Sequence, residues 1–276
     1  AWSAGTDIGT GLERHHRHST AMTRKNTERW APVLALTALL LLWQAVCALL
    51  AVPEYIFPTP LKIAQAMAQF AAPIAQAAWK TFWVTMLGFA ISIVVGVLLG
   101  FLVGSSRLAY AAVYPLLVAF NAVPTAAIVP ILIVWFGIGV GPGILTAFLI
   151  SFFPITVNIA SGLATLEPEL EDVLRVLGAK RWDVLTKVGL PRSMPYFYAS
   201  LKVSITLAFV GTVLAEMTAG DSGIGYLMQS AGSQQRMPLA FAGLVVIGVM
   251  AYLMYEMFSL VEKRTTGWAH RGSGSE

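Results

Sequence analysis

Long apolar blocks, separated by short polar or Gly- and Pro-rich stretches, set the pattern of this chain. Six of them, at about 31–52, 78–103, 109–136, 144–164, 195–219 and 237–260, are long enough to cross a bilayer as helices, which takes about 20 residues. The pattern predicts an all-α membrane protein with six transmembrane helices. Between the first two blocks, Pro53–Pro60 reads as an extended segment with interfacial aromatics, and Leu61–Phe70 as a short amphipathic helix. Gly88, Ser92, Gly96, Gly100 and Gly104 recur every fourth residue, a small-residue stripe that lets a second helix approach closely. The third block is interrupted by Pro115, Pro124 and Pro130, which predicts kinks that free backbone carbonyls. Gly137–Gly143 reads as a tight turn, and Gly220–Arg236 as a loop.

One stretch breaks the apolar pattern, the strongly charged segment 167–191. Pro168 suits the first turn of a helix, and Glu169 and Glu171 complement the positive end of its dipole. Leu170, Val173, Leu174 and Leu177 follow at helical spacing and form one apolar stripe. Gly178 ends that helix. Ala179–Lys187 reads as a second short helix with Trp182 and Leu185 on one side, stopped by Pro191. Such a helix–Gly–helix unit is too short for a core of its own and must dock into something.

Composition narrows the class. The 276 residues are 57% hydrophobic and 12% charged, with mean hydropathy +0.72, whereas soluble domains carry about 25% charged residues. The net charge of +4 does not call for nucleic acid. Its distribution is more telling. With both termini inside, Arg107, Arg175, Lys180, Arg181, Lys187, Arg192, Lys263, Arg264 and the basic tails fall on the cytoplasmic side, leaving Lys62, Lys80 and Arg236 outside. Segment 167–191 is then cytoplasmic. Residues 1–29 read as a flexible tail, His15, His16 and His18 included, with Met22 as a native start and 1–21 as an added leader. Residues 269–276 read as a second tail ending in a linker scar, and 30–268 as one membrane domain. Cys47, the single cysteine, reads as a small core residue.

Segment 167–191 also carries a resemblance. Permease subunits of binding-protein-dependent ABC importers share a cytoplasmic loop of pattern E-A-A, three residues, Gly, nine residues, Ile, any residue, Leu-Pro. Here Gly178, nine residues, then Val188-Gly189-Leu190-Pro191 keep that spacing, while Asp172-Val173-Leu174 keeps only the acid of E-A-A. Tyr55–Pro60, Asn121–Pro130 with Trp135–Gly139, and Ala215–Met217 with Gly223–Leu227 resemble the nitrate/sulfonate/taurine branch. The resemblance implies a type I ABC importer permease fold in a bacterial cytoplasmic (inner) membrane. It further implies a second copy of the permease, two cytoplasmic ATP-binding subunits and an extracytoplasmic substrate-binding protein. ATP and Mg would sit on the ATPase partner, as the absence of any Gly-Lys pair, and so of a Walker A motif, also requires. The ATPase-coupling residues it implies are Glu169, Leu170, Asp172, Val173, Leu174, Leu177, Gly178, Ala179, Lys180, Arg181, Trp182, Leu190 and Pro191. Solutes moved in this branch include sulfonates, taurine and nitrate, and alternatively thiamine-precursor pyrimidines, riboflavin or aromatic acids.

The residues themselves suggest no enzyme, because no paired carboxylates or nucleophile motif sits in a plausible pocket. Ionisable groups inside spans are functional candidates, since burying them is costly. Glu216, near the outer end of the fifth span, is either a gate or an anchor partnered by backbone or Thr218. Lys202 reads as an inner-end residue that snorkels to the interface. Asn121, Pro124 and Asn158 are candidates for the translocation path, and Gly223 and Gly225 for a gate beside Glu216. An ion-coupled secondary transporter is the competing class. It should show internal repeats with mid-bilayer acids, which are not evident here.

Overall fold

The computed structural model describes residues 30–164, 173–174 and 176–265, which fall into two units divided after Ala64. In the first unit, α1 (Trp30–Leu49) is a helix of 20 residues, long and apolar enough to cross a membrane. After it the chain turns back: Trp43 packs against Phe57 in a tilted pair with centroids 5.2 Å apart, and Lys62 pairs with Glu54 at 3.3 Å. The amphipathic α2 (Pro60–Gln69) forms where expected.

The second unit is built on α3 (Ala71–Gly104), α6 (Val140–Ala164) and α8 (Leu190–Ala219). The small-residue stripe explains why α3 and α6 lie so close. A Cβ at Gly96 would stand 2.9 Å from the Ile155 Cβ, one at Gly100 2.8 Å from the Ile159 Cβ, and one at Gly104 2.9 Å from the Leu163 Cβ. A Cβ at Gly88 would stand 2.6 Å from the Ala147 Cβ, and at Ser92 the Ser92 and Ser151 hydroxyls meet across the interface at 2.6 Å. Lipid tails give no hydrophobic drive for helices to associate, so backbone proximity and such interhelical bonds carry the packing. Phe89, Ile155, Ile159, Ile205 and Phe209 fill the space between the three helices.

Around this core lie α4 (Arg107–Asn121), α5 (Thr125–Phe136), α9 (Ile224–Ser233) and α10 (Met237–Thr265). Among the described residues, five helices are long and apolar enough to span, and the α4–α5 pair makes a sixth span if counted as one. The third apolar block is therefore two helices bent by 83°, not one kinked helix. The break falls at Pro124, whose extended backbone (φ −61°, ψ 108°) precedes α5, whereas Pro115 and Pro130 are absorbed inside helices.

Other boundaries also move. Gly137–Gly143 is a turn only through Gly139, after which α6 begins at Val140. The stretch read as loop 220–236 contains α9. Pro191 does not stop a helix. The short α7 (Arg181–Val184) runs through a π turn, Leu185–Gly189, directly into α8. Leu190 N–H bonds back to the Leu185 carbonyl, five residues earlier. A proline removes one backbone donor and crowds the preceding turn, and this wider turn absorbs it without ending the helix.

Candidate functional site

Two places gather the sequence candidates, one at each end of α8. At its start, the helical turn ending at Leu177 is closed by a Schellman arrangement. Gly178 takes φ +87°, and Ala179 N–H reaches back to the Leu174 carbonyl at 3.0 Å. The expected helix-ending glycine is thus in place. A Cβ there would meet nothing within 4 Å, so glycine is needed for the backbone angle and not for space.

Beyond it, Lys180 and Trp182 are exposed, and Ala179 is half-buried. Trp182 lays an edge against Phe101 of α3 at 5.5 Å, while Leu185 is buried. Leu190 is half-buried and Pro191 exposed. Val173, Val176 and Leu177 are 57%, 88% and 78% exposed, a set of apolar side chains that no described residue covers. Leu174, from the same predicted stripe, is half-buried. Glu169, Leu170 and Asp172 lie outside the described residues, as does the side chain of Arg181.

At the other end of α8, Glu216 is only 7% exposed. Its carboxylate is held by two donors from other elements. The Thr81 hydroxyl of α3 reaches Oε1 at 2.9 Å and Oε2 at 2.8 Å, and the Gly225 N–H of α9 reaches Oε2 at 2.9 Å. The Ile224 N–H donates in turn to Thr81 Oγ1 at 2.8 Å. Glu216 therefore caps the N-terminus of α9, where unpaired N–H groups and the helix dipole favour a negative charge. The partner is not Thr218, whose hydroxyl bonds the Leu214 carbonyl of its own helix.

Gly223 and Gly225 make room for this carboxylate. Gly223 has φ +98°, and a Cβ there would run into the Glu216 carboxylate; one at Gly225 would lie 2.7 Å from the Glu216 Cβ. Sequence reasoning grouped Glu216 with these two glycines but missed Thr81. A threonine about three turns into α3 carries no local signal of a partner 135 positions away.

The remaining candidates do not join either place. Asn121 and Pro124 are exposed on the α4–α5 break. Asn158 donates to the Pro154 carbonyl of its own helix at 2.8 Å. Lys202 does not snorkel away: it pairs with Glu262 of α10 at 2.6 Å and lies over the Tyr255 ring. Both side chains are mostly buried, so the pair relieves each charge of its isolation.

Residues 92–267 match the family model described as the binding-protein-dependent transport system inner membrane component. A probable ABC transporter permease protein of Haemophilus influenzae is 32% identical, covering 81% of this chain and 91% of its own length. The formylaminopyrimidine transport permease protein ThiX of Halalkalibacterium halodurans is 26% identical over 89% of this chain and 98% of its own. The taurine transport system permease protein TauC of Escherichia coli is 26% identical over 84% and 87%. In fold, the chain resembles a structure of the MetNI methionine ABC transporter, with a TM-score of 0.63 at 17% identity, covering 71% of this chain and 98% of that one.

Proposed function

We infer that this chain, which belongs to the binding-protein-dependent transport system inner membrane components and so is an ABC importer permease subunit, passes a small polar or anionic solute across the bilayer and takes its drive from separate ATPase subunits. The permease itself is not catalytic. ATP and Mg are held by the partner, and segment 167–191 is the coupling element.

One observation carries this reading. The Gly178-to-Leu190-Pro191 spacing falls on a Schellman turn and, from Arg181, on a continuous helix that leads into α8. Exposed Val173, Val176, Leu177 and Trp182 beside it supply the apolar surface a partner would cover. Burying one such side chain fully is worth about 1.5–3 kcal/mol, so a few can anchor a small interface. A push on the turn would travel along α8, about 40 Å at 1.5 Å per residue, to Glu216. There the Glu216–Gly225 cap would act as the gate, with Gly223 beside it. The bend at Asn121–Pro124, and Asn158 in α6, would border the path. The working unit would be two copies of this chain, two ATPases and one extracytoplasmic binding protein. Both termini and segment 167–191 would be cytoplasmic.

The solute is in the sulfonate, taurine or nitrate class. A thiamine-precursor pyrimidine is the second reading, favoured by the similarity to a formylaminopyrimidine permease. Reconstitution tests the assignment. The chain co-expressed with its ATPase in nanodiscs should hold equal numbers of both subunits by native mass spectrometry. It should also hydrolyse ATP faster when loaded binding protein is added. Uptake that persists without ATP, or an ATPase that fails to attach, overturns it.

A further inference from the structure

Beside the Glu216 cap, and sharing Gly223 with it, lies an open cavity of about 560 Å³ between the start of α3, the 220–223 turn and α9. That volume lies within the range of small-molecule sites, about 300–1,000 Å³. Its body is apolar, with Phe70, Ala77, Leu227 and Leu239 on its walls, and the Tyr226 side chain also borders it. Two cations line it, Lys80 from α3 and Arg236 from the α9–α10 junction. Neither makes a close ion pair with a described residue as Lys202 does with Glu262, although Lys80 lies within electrostatic reach of Asp221 and Glu216. Asp221 also lines the cavity, but the Ser222 hydroxyl bonds it at 2.6 Å and holds its carboxyl below the usual range, so it stays ionised. Two positive charges against one negative leave the lining net positive.

We propose that this cavity binds an amphiphilic organic oxyanion, with the anionic head between Lys80 and Arg236 and the apolar body against Phe70 and Leu227. Arg236 offers a planar fork of donors suited to a sulfonate, carboxylate or phosphate, and Lys80 adds a compact second charge. The apolar walls reject a fully hydrated inorganic anion, which would lose water there without compensation. A free organic anion and the headgroup of an anionic phospholipid share this chemistry. The site does not depend on the transport reading, because binding to the chain alone and uptake by an assembled importer are separate measurements.

The experiment uses the full chain in phosphatidylcholine nanodiscs, with hexanesulfonate as probe and calorimetry as readout. Saturable binding at one site is expected, with no binding of hexyltrimethylammonium. Replacing both cations (K80Q with R236Q) should weaken it at least about tenfold, the loss expected when charge-assisted bonds are removed. The charge-keeping pair K80R with R236K should restore it. Ala77→Phe, which fills the cavity and keeps both charges, should weaken binding without touching the cations. Phosphatidylglycerol added to the nanodisc separates the sources: competition assigns the site to lipid, and its absence assigns it to the free anion. Unchanged affinity in the double Gln variant, or no saturable binding of hexanesulfonate and phosphatidylglycerol alike, overturns the proposal.

Discussion

Thr81 and Glu216 stand 135 positions apart and share one buried hydrogen-bonded contact, the Thr81 hydroxyl spanning both carboxylate oxygens at 2.9 and 2.8 Å. That contact ties α3 to α8, and the Gly225 N–H adds α9 to the same carboxylate. The Thr85–Thr212 bond at 2.9 Å, one turn along both helices, repeats the link between α3 and α8. Removing either partner of a buried bond costs more than the bond contributes, because the group left behind stays desolvated. That penalty is about 1–3 kcal/mol for each orphaned group.

Thr81→Val and Glu216→Ala should therefore each lower the apparent melting temperature of the purified chain. The double variant should lose less than the sum of the two, with a coupling of about 0.5–3 kcal/mol, as residues in one network show. Additive losses would mean that the two side chains act independently. Glu216→Gln keeps the shape and one acceptor, and should leave assembly intact while altering uptake or basal ATP hydrolysis. Unchanged uptake and hydrolysis would reduce Glu216 to a structural anchor.

Glycines around the cap give a sharper contrast. Gly223→Ala and Gly225→Ala should destabilise strongly. The first needs φ +98° and collides with the Glu216 carboxylate, and the second puts a Cβ 2.5 Å from the Val213 carbonyl oxygen. Gly232 of α9 and Gly248 of α10 have nothing within 4 Å of an added Cβ, so alanine there should be neutral or stabilising by up to about 1 kcal/mol. Thermal unfolding of the four variants in one detergent checks the ordering. Equal effects at all four would show that the cap does not require the close approach.

Much of this fold was legible because a membrane span is a local feature. About 20 apolar residues declare it, and the spacing of Gly88, Gly96 and Gly100 declared the face that packs on α6. Gly178 was legible for the same reason, as a helix end followed by a new helical pattern. What stayed hidden is long-range or geometric. Lys202 read as a snorkelling residue because Glu262, its partner at 2.6 Å, lies 60 positions away. Pro124 announced a kink, but not that the bend would reach 83° while Pro115 and Pro130 sit inside helices. Pro191 read as a stop because its missing donor is visible in sequence, and the π turn that absorbs it is not.

Topology follows from charge. Lys180 and Gln229 are both exposed, near opposite ends of the long α8. On a Cys47→Ser background, Gln229→Cys should react with an impermeant maleimide in sealed cells. Lys180→Cys should react only after permeabilisation. The reverse pattern would overturn the placement of segment 167–191 in the cytoplasm, and with it the coupling role.

The coupling role itself turns on Gly178. Its φ of +87° strains any L residue, but Asn and Asp tolerate the left-handed region better than others, and the space around it is open. Gly178→Asp and Gly178→Asn should therefore both insert normally and keep the bundle's melting temperature within a few degrees. A side chain at 178 would meet nothing within 4 Å and follows the exposed Val176 and Leu177 in the chain, so a partner seated on that turn would meet it. The Asp variant also buries a charge in that contact, which is costlier than burying an amide. The expected result is weakened ATPase attachment for both and more for Asp, or ATP hydrolysis that continues without uptake. Size-exclusion chromatography of the co-expressed complex and vesicle uptake read the two outcomes separately. If Gly178→Asp holds its ATPase at full stoichiometry and transports at the original rate, no partner closes over this turn and the coupling element lies elsewhere in the chain.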